Sequence, residues 1–318
     1  MPELEIRPLS ESDLDAAATL LGERHARHRE YEPLLAEVDD YRPLVEEAWQ
    51  AENASGWVAV EEGEVTGYLI GAPGSREMWG PNVWVGAAGH AVREPEVIRD
   101  LYGAAAGSWV EAGNTRHYVL VPASEAGLID AWWRLSFGHQ HSHAIQELPA
   151  RVDAKVPDGL EIRDPDPDEI EALIDIDLAL PEHQRRSPVF GGRGEPDREE
   201  SRAEWLKTLA GDEEKILIGA VNGRAVACWA FVDPNRSSQH HALLAPEGAS
   251  FLGFASTLPE ARGSGIGVAL TNAGLAWASE EGHSAMTTDW RETNLLASRF
   301  WPRRGFRRTF LRLYRSIP

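Results

Sequence analysis

Residues 250–270 read SFLGFASTLPEARGSGIGVAL. The run opens strand-like, turns at Pro259, and continues with Ile266, Ala269, Leu270, Ala273 and Trp277 at the spacing of one helix face,. Gly263, Gly265 and Gly267 alternate in the predicted first turn of that helix. Glycine there costs about 1 kcal/mol relative to alanine, so each needs a compensating reason. One reason is close approach of a ligand to bare backbone. The first N–H groups of a helix lack internal partners, and the helix dipole places partial positive charge on them. Without Cβ atoms in the way, those amides can reach a diphosphate, and Arg262 adds a fixed cation. The stretch is therefore expected to form an anion cradle; an ordinary tight turn is the alternative.

Two phosphate-binding patterns are excluded by residue. A P-loop needs Gly-Lys-Ser/Thr after its glycines, and the stretch has no lysine,. A dinucleotide fingerprint needs a third glycine where Val268 or Leu270 stands,. The run Arg262-Gly263-Ser264-Gly265-Ile266-Gly267 instead resembles the Gln/Arg-x-x-Gly-x-Gly/Ala signature of the GNAT superfamily of N-acetyltransferases. Asn294, Ala297, Gly305 and Phe306 stand at the spacing of that family's next motif. The resemblance covers roughly residues 160–318.

The wider sequence bounds the fold. The 318-residue chain is long for one domain and comfortable for two,. Leu4-Glu5-Ile6-Arg7 followed by Leu14, Ala17, Ala18 and Leu21 is echoed by Leu160-Glu161-Ile162-Arg163 followed by Ile170, Leu173 and Ile174, 156 positions on. Trp57–Val60 and Val65–Ile70 flank a turn at 61–64, as Lys215–Val221 and Ala225–Val232 flank Asn222-Gly223, a strong hairpin signal,. The strand His117–Val121, the helix Glu125–Leu135 and Phe137-Gly138 echo Ala285–Trp290, the helix from Asn294 and Gly305-Phe306. These are repeats at domain scale. Residues 149–159 have linker composition. The expected fold class is α/β, a mixed α+β sheet with flanking helices, built as two GNAT-like domains in tandem: 1–155 degenerate and 156–318 carrying the signature. Where the second half has Arg262-Gly263-Ser264-Gly265, the first has Arg93-Glu94-Pro95-Glu96. Those carboxylates would repel a diphosphate, so the first half is expected to bind no coenzyme.

Net charge of −20 argues against nucleic acid and anionic membrane as partners,. No apolar run approaches 18 residues and MPELEIRPLS lacks a signal-peptide profile, so a cytoplasmic protein is expected,. The single cysteine, Cys228, lies in the apolar run AVACWAFV and is expected to be a buried structural thiol,. His139, His141 and His143 alternate; an exposed strand face is preferred to a zinc site there, and no metal is expected,. Residues 181–205 are polar and rich in Gly and Pro, either an acceptor-site segment or a connector.

The resemblance implies acetyl-CoA as co-substrate, its pyrophosphate on the amides of Gly263, Ser264, Gly265, Ile266, Gly267 and Val268 beside Arg262. It implies that Phe254, Ala255, Ser256 and Thr257 pair with the pantetheine arm, and that Asn294 and Ala297 border the coenzyme. The acceptor is then a small-molecule or peptide amine. Members of the family commonly place a tyrosine four residues after the alanine to protonate the thiolate. Trp301 stands there, beside the pantetheine, and an indole is no acid,. Tyr314 is a candidate substitute. Asp289, His241 with its neighbour His240, and Glu247 are the candidate general bases,. A non-catalytic sensor or scaffold that binds CoA or acyl-CoA is the alternative.

Overall fold

Each half begins with the same electrostatic clamp. In a computed structural model, Arg7 donates two hydrogen bonds to Asp13 (2.8 and 2.7 Å), and Arg163 donates two to Glu169 (2.7 and 2.8 Å). Both pairs span six residues and join the end of a strand to the entry of a helix. The acid also caps the turn: Ser10 N donates to Asp13 and Asp166 N donates to Glu169, each at 2.9 Å. Planar bidentate pairing holds the strand-to-helix angle at the start of each repeat. The structure describes residues 4–150, 156–191, 197–211, 214–233 and 243–318.

The first half runs β1 (Leu4–Pro8), α1 (Leu14–Tyr31), α2 (Arg42–Gln50), β2 (Ser55–Glu61), β3 (Glu64–Gly71), α3 (Arg76–Trp79), β4 (Asn82–Val85), β5 (His90–Val92), α4 (Val97–Glu111), β6 (Arg116–Pro122), α5 (Ala126–Arg134) and β7 (Gly138–Gln146). The second runs β8 (Leu160–Arg163), α6 (Ile170–Gln184), α7 (Arg198–Ala210), β9 (Lys215–Val221), β10 (Arg224–Val232), β11 (Ser250–Thr257), α8 (Ile266–Glu280), β12 (Met286–Arg291), α9 (Leu295–Phe300) and β13 (Arg307–Ser316). The fold is mixed α/β, as the sequence predicts. Both hairpins turn through two left-handed residues, Glu62-Gly63 and Asn222-Gly223, the geometry that matches strand twist.

Packing divides the chain into two units that are not simple halves. One comprises residues up to 143 together with 243–244 and 308–318; the other comprises 144–150, 156–233 and 245–307 as described. In the first unit the strand order is β1-β2-β3-β5 in one sheet, while a second places β4, β6, β13 and β7 side by side. β13 pairs antiparallel with β6, Tyr314 opposite Tyr118. The second unit orders β12-β11-β10-β9-β8, antiparallel except where β11 meets β12. Each unit has its own core, around Leu101 and Trp132 and around Leu21 and Tyr68 in the first, and around Leu173, Ile218 and Leu270 in the second. Among the described residues no helix is long and apolar enough to cross a membrane.

Three expectations need revision or detail. His141 and His143 are buried (7% exposed each), so β7 does not present an exposed histidine face. Among the described residues no group of three or more His, Cys, Asp or Glu is placed to hold a metal ion. Tyr314 belongs to the first unit, its ring 4.9 Å from that of Tyr118. In the segment after α6, Val189 N donates to Arg186 and Gly191 N to Gln184; α7 follows, and residues 192–196 fall outside the described chain. Cys228 is wholly buried on β10, where burial raises its thiol pKa well above the ordinary range, as a structural thiol requires.

The clamp yields a pH-dependent prediction. Hydrogen bonds from Arg7 hold the Asp13 carboxyl well below its usual pKa. A depressed carboxyl stabilises the fold fully above the ordinary value near 4 and loses that contribution as pH falls through the folded value. Asp13→Asn should lower stability at pH 7 by about 1–3 kcal/mol, and the gap to wild type should shrink on acidification below pH ~4. Denaturant titrations at several pH values measure it; a gap that is constant from pH 7 to pH 3 contradicts the clamp.

Candidate functional site

β11 and β12 start as a parallel pair and then part. Their register covers Ser250↔Met286, Phe251↔Thr287 and Leu252↔Thr288 and ends there, although β11 runs on to Thr257 and β12 to Arg291. The paired end is reinforced by two hydroxyls, Thr287 to the Ser250 carbonyl (3.1 Å) and Thr288 to the Leu252 carbonyl (2.9 Å). The divergence has a local cause. Against β10 the register passes from Phe231↔Leu252 to Ala230↔Phe254, leaving Gly253 as an extra residue. Such a bulge bends and twists the strand that carries it. Beyond it, Phe254, Ala255, Ser256 and Thr257 stay paired with β10 only. Their other backbone edge is open toward the gap.

Side chains fix that open strand. Ser256 donates its hydroxyl to the Ile176 carbonyl of α6 at 2.7 Å, and the Phe254 ring lies 6.2 Å from that of Trp205 on α7. The opposite sheet face meets α8. A Cβ on Gly219 would come within 3.0 Å of Ile266, and a Cβ on Gly274 would lie only 2.1 Å from Cζ of the Phe231 ring. Gly274 is thus required for the helix to lie so close to the sheet, and nothing in the α8 periodicity had singled it out.

At the end of β11 a single turn of 3-10 helix, Pro259–Ala261, leads into α8. α8 begins at Ile266, so Gly263 and Gly265 precede the helix and are not inside its first turn as the sequence reading had them. Gly263 (φ +80°) and Gly265 (φ +89°) are left-handed, which explains glycine at both without any ligand,. Gly267 is different. It is helical, and a Cβ there would meet Phe300 and Trp229 at 3.5 and 3.6 Å, ordinary contact. The amides from Gly263 to Val268 have no hydrogen-bond partner among the described residues, so donors of Gly263, Ser264, Gly265, Ile266, Gly267 and Val268 all stand open at one helix N-terminus. Ser264 closes the turn by donating to the Ala261 carbonyl (2.7 Å), and Arg262 Nε donates to the Thr257 carbonyl (3.0 Å). Burial lowers the Arg262 pKa, Glu260 opposes that shift and the cation of Arg186 adds to it. The open amides thus follow directly on Arg262, which feels the charge of Arg186.

The far lip is built by α9. Asn294 caps it: Oδ1 accepts from Leu296 N (3.2 Å) and Ala297 N (3.4 Å), and His183 Nε2 lies 3.1 Å from the same oxygen. The side-chain oxygen is therefore committed to the protein. Ala297 packs on the second-unit core, and Trp301 is buried with edge-to-face contacts to Phe300 (4.8 Å) and Phe306 (5.5 Å). A surface cavity of about 330 Å³ opens between Val268 of α8, Leu295, Leu296, Arg299 and Phe300 of α9, and Arg303 and Arg304. Its floor is apolar and its rim basic, with the Arg304 guanidinium 5.7 Å from the centre of the Phe300 ring. Arginine spacing in so acidic a chain was a signal for this feature, and sequence reasoning passed over it.

The candidate bases are placed unequally. Asp289, half-buried, follows the last paired residue of β12 and shares a strand face with Arg291,. Arg291 Nε donates to Gln184 Oε1 of α6 (3.2 Å), so that face looks toward α6. Glu247 is exposed in the turn ahead of β11, at the paired end of the strand, where it cannot serve the gap some seven residues away, roughly 20 Å along a strand. His240 and His241 lie outside the described residues. His183 and Gln184, which sequence reasoning did not consider, are the α6 side chains that meet the β12–α9 lip.

The first unit treats the same region differently. Its equivalent strand is broken into β4, paired parallel with β6, and β5, paired with β3, by Gly86-Ala87-Ala88-Gly89. Arg24, 1% exposed, donates to the carbonyls of His90 and Ala87 (the latter 2.5 Å), Tyr68 donates to Ala88 O (2.7 Å), and His90 Nε2 donates to Leu120 O of β6 (2.8 Å). Burial holds the His90 pKa down to about 3, so the ring is neutral. The first amides of α4 are also occupied: Val97, Ile98 and Arg99 N donate to the carbonyls of Glu94, Pro95 and Glu96.

The comparisons agree with this geometry. Residues 178–306 match the acetyltransferase (GNAT) family model. A GCN5-related N-acetyltransferase from Sphaerobacter thermophilus is 14% identical, with 98% of this chain and 95% of that one covered and a TM-score of 0.61. A fungal multi-domain GH3 β-N-acetylglucosaminidase has a region described as a GCN5-related glucosamine N-acetyltransferase; it is 16% identical over 99% of this chain and 38% of its own, with a TM-score of 0.56. A tandem GNAT protein from the clavulanic acid biosynthesis pathway is 16% identical over 99% and 98%, with a TM-score of 0.47. No curated protein matches. The 178–306 segment thus matches the acetyltransferase (GNAT) family model, and the fold of the chain is similar to that of GCN5-related N-acetyltransferases.

Two substitutions separate packing from ligand approach. Gly274→Ala should cost about 1–3 kcal/mol as an overpacked core site does. Gly267→Ala should leave the fold as stable or gain up to about 1 kcal/mol from helix propensity. Thermal unfolding of both variants checks the pair; equal losses would mean Gly267 is also a packing glycine.

Proposed function

We propose that the protein is an N-acetyltransferase, moving an acetyl group from acetyl-CoA to a primary amine, with residues 156–318 as the transferase domain and 1–155 as a degenerate copy. One observation carries this: a run of amides, Gly263 to Val268, without partners among the described residues, at the end of a strand whose edge is open after Leu252. The amides and Arg262 suit a diphosphate. The open edge of Phe254–Thr257 suits the amide-bearing pantetheine arm, and the basic cavity with its apolar floor suits the adenosine 3′-phosphate end. When bound, acetyl-CoA supplies an activated thioester. The chain's residues then orient the amine in the gap, accept its proton and exclude water from the acyl group. Asp289 faces the α6 side of the gap and is a candidate for that proton. Trp301, buried against Phe300 and Phe306, offers no acid, which suits departure of the thiolate unprotonated.

The second reading, a coenzyme-binding protein without turnover, draws on that same Trp301. Thiol release from acetyl-CoA in the presence of a panel of primary amines separates the two. No release with any of them, while CoA still binds, would favour the second reading.

The first unit is proposed to bind no coenzyme, because Arg24, Tyr68 and His90 already use its divergent carbonyls and the start of α4 uses its own amides. Calorimetry should give one CoA per chain; two would contradict this. Gly267→Glu sets a carboxylate among the open amides at a helical position with room for a side chain. It should weaken CoA binding by at least about a hundredfold, roughly 2.7 kcal/mol, without loss of fold. Unchanged affinity would remove the diphosphate from this turn.

A further inference from the structure

The amide of Asn294 cannot be turned over. Its Oδ1 accepts from two backbone N–H groups of α9, Leu296 and Ala297, and reversal would aim an NH₂ group at those donors. The third partner of that oxygen, His183 Nε2 at 3.1 Å, must therefore be the donor,. This fixes the neutral tautomer of His183, with the proton on Nε2 and the lone pair on Nδ1. Nδ1 makes no hydrogen bond with any described residue. The ring is only half-buried, so this nitrogen is open to a ligand or water.

Position strengthens the point. His183 lies in the last turn of α6, two residues after Pro181, whose missing N–H breaks the helix ladder there,. That turn is tied to the end of β12 by Gln184 Oε1 accepting from Arg291, and the Gln184 carbonyl accepts from Gly191 N. The imidazole thus sits at the α6 side of the gap beside the helix cap that forms its far lip. Other charged groups on the elements meeting there are Glu182, Arg185 and Arg186 of α6 and its exit, Asp289 and Arg291 of β12, Glu292 after it, and Arg299 of α9.

We infer that His183 is the proton acceptor for the attacking amine. The inference rests on the acetyl-transfer reading above. The amine nitrogen bonds to the thioester carbonyl carbon, the C–S bond breaks with its electron pair going to sulfur, and the surplus N–H proton passes to His183 Nδ1. The resulting imidazolium keeps its Nε2–H bond to Asn294 and later loses the Nδ1 proton to solvent.

The test compares His183→Gln with His183→Ala, because glutamine can still donate to Asn294 but cannot accept this proton at neutral pH. With butylamine, spermidine, glucosamine and lysine ethyl ester as probes, both variants should lose kcat by about a hundredfold, the lower end of general acid–base catalysis. The KM for acetyl-CoA and the calorimetric affinity for CoA should be unchanged. The deficit should narrow at high pH, where free amine and hydroxide replace the base. Glutamine restoring wild-type kcat would show a positioning role only and overturn the inference. Nitrogen-15 spectra of the wild-type ring give a check that needs no variant: in the neutral ring the proton should sit on Nε2 and Nδ1 should be bare, and the reverse tautomer would overturn it. If wild type releases no thiol with any probe while CoA binds, the acetyl-transfer reading fails and takes this one with it. If wild type turns over and His183→Gln keeps pace, only His183 is wrong.

Discussion

Everything distinctive about the second unit follows from the loss of pairing between β11 and β12 after Leu252. A parallel pair that continued to Thr257 would leave no open backbone edge. One extra residue, Gly253, prevents that. The strand stays anchored to β10 on its other side and to α6 through Ser256, so the gap is held by the fold and not by a ligand. The helix that follows is pressed to the sheet through Gly219 and Gly274, which keeps its bare amides at a fixed height above the end of the gap.

The two units show what the same framework does with its unpaired groups. Both start with an Arg–carboxylate clamp and both turn their first hairpin through two left-handed residues. In the first unit, a buried guanidinium, a tyrosine hydroxyl and an imidazole satisfy the backbone where the strands part. Among the described residues Arg24 has no carboxylate among its hydrogen-bond acceptors, only carbonyls. Burial lowers its pKa to about 10, which still leaves it charged at neutral pH. A cation so placed is costly unless it is hydrogen-bonded, and those bonds tie α1 to the divergent strand from within.

Much of this was legible in residues 250–270 and in the repeat spacing, because helical periodicity, Asn-Gly turns and alternating glycines are local signals. The glycines were right in kind and partly wrong in reason: two of the three answer to left-handed backbone, which φ reveals and composition does not. Gly253 and Gly274 were illegible, since one depends on cross-strand register and the other on the ring of Phe231 on β10. His183 was hidden for a similar reason. Its partner Asn294 is 111 positions away, and nothing at residue 183 announces a contact with a helix cap. The histidines of β7 misled because alternation reports which side chains share a face and says nothing of what covers it.

β13 has a consequence for how the chain is made. The sheet of β4, β6, β13 and β7 in the first unit takes one of its inner strands from residues 307–316, and Phe310 is wholly buried in the core beside Leu21 and Tyr68. Domains commonly fold in the order in which the ribosome delivers them. Here the earlier unit is left with a missing inner strand until synthesis has passed residue 316, while the later unit's strands β8 to β12 are already out. Completion therefore runs against the direction of translation, and a stalled or prematurely terminated chain would expose β6 and β7 as unpaired edges, the kind of surface on which chains aggregate.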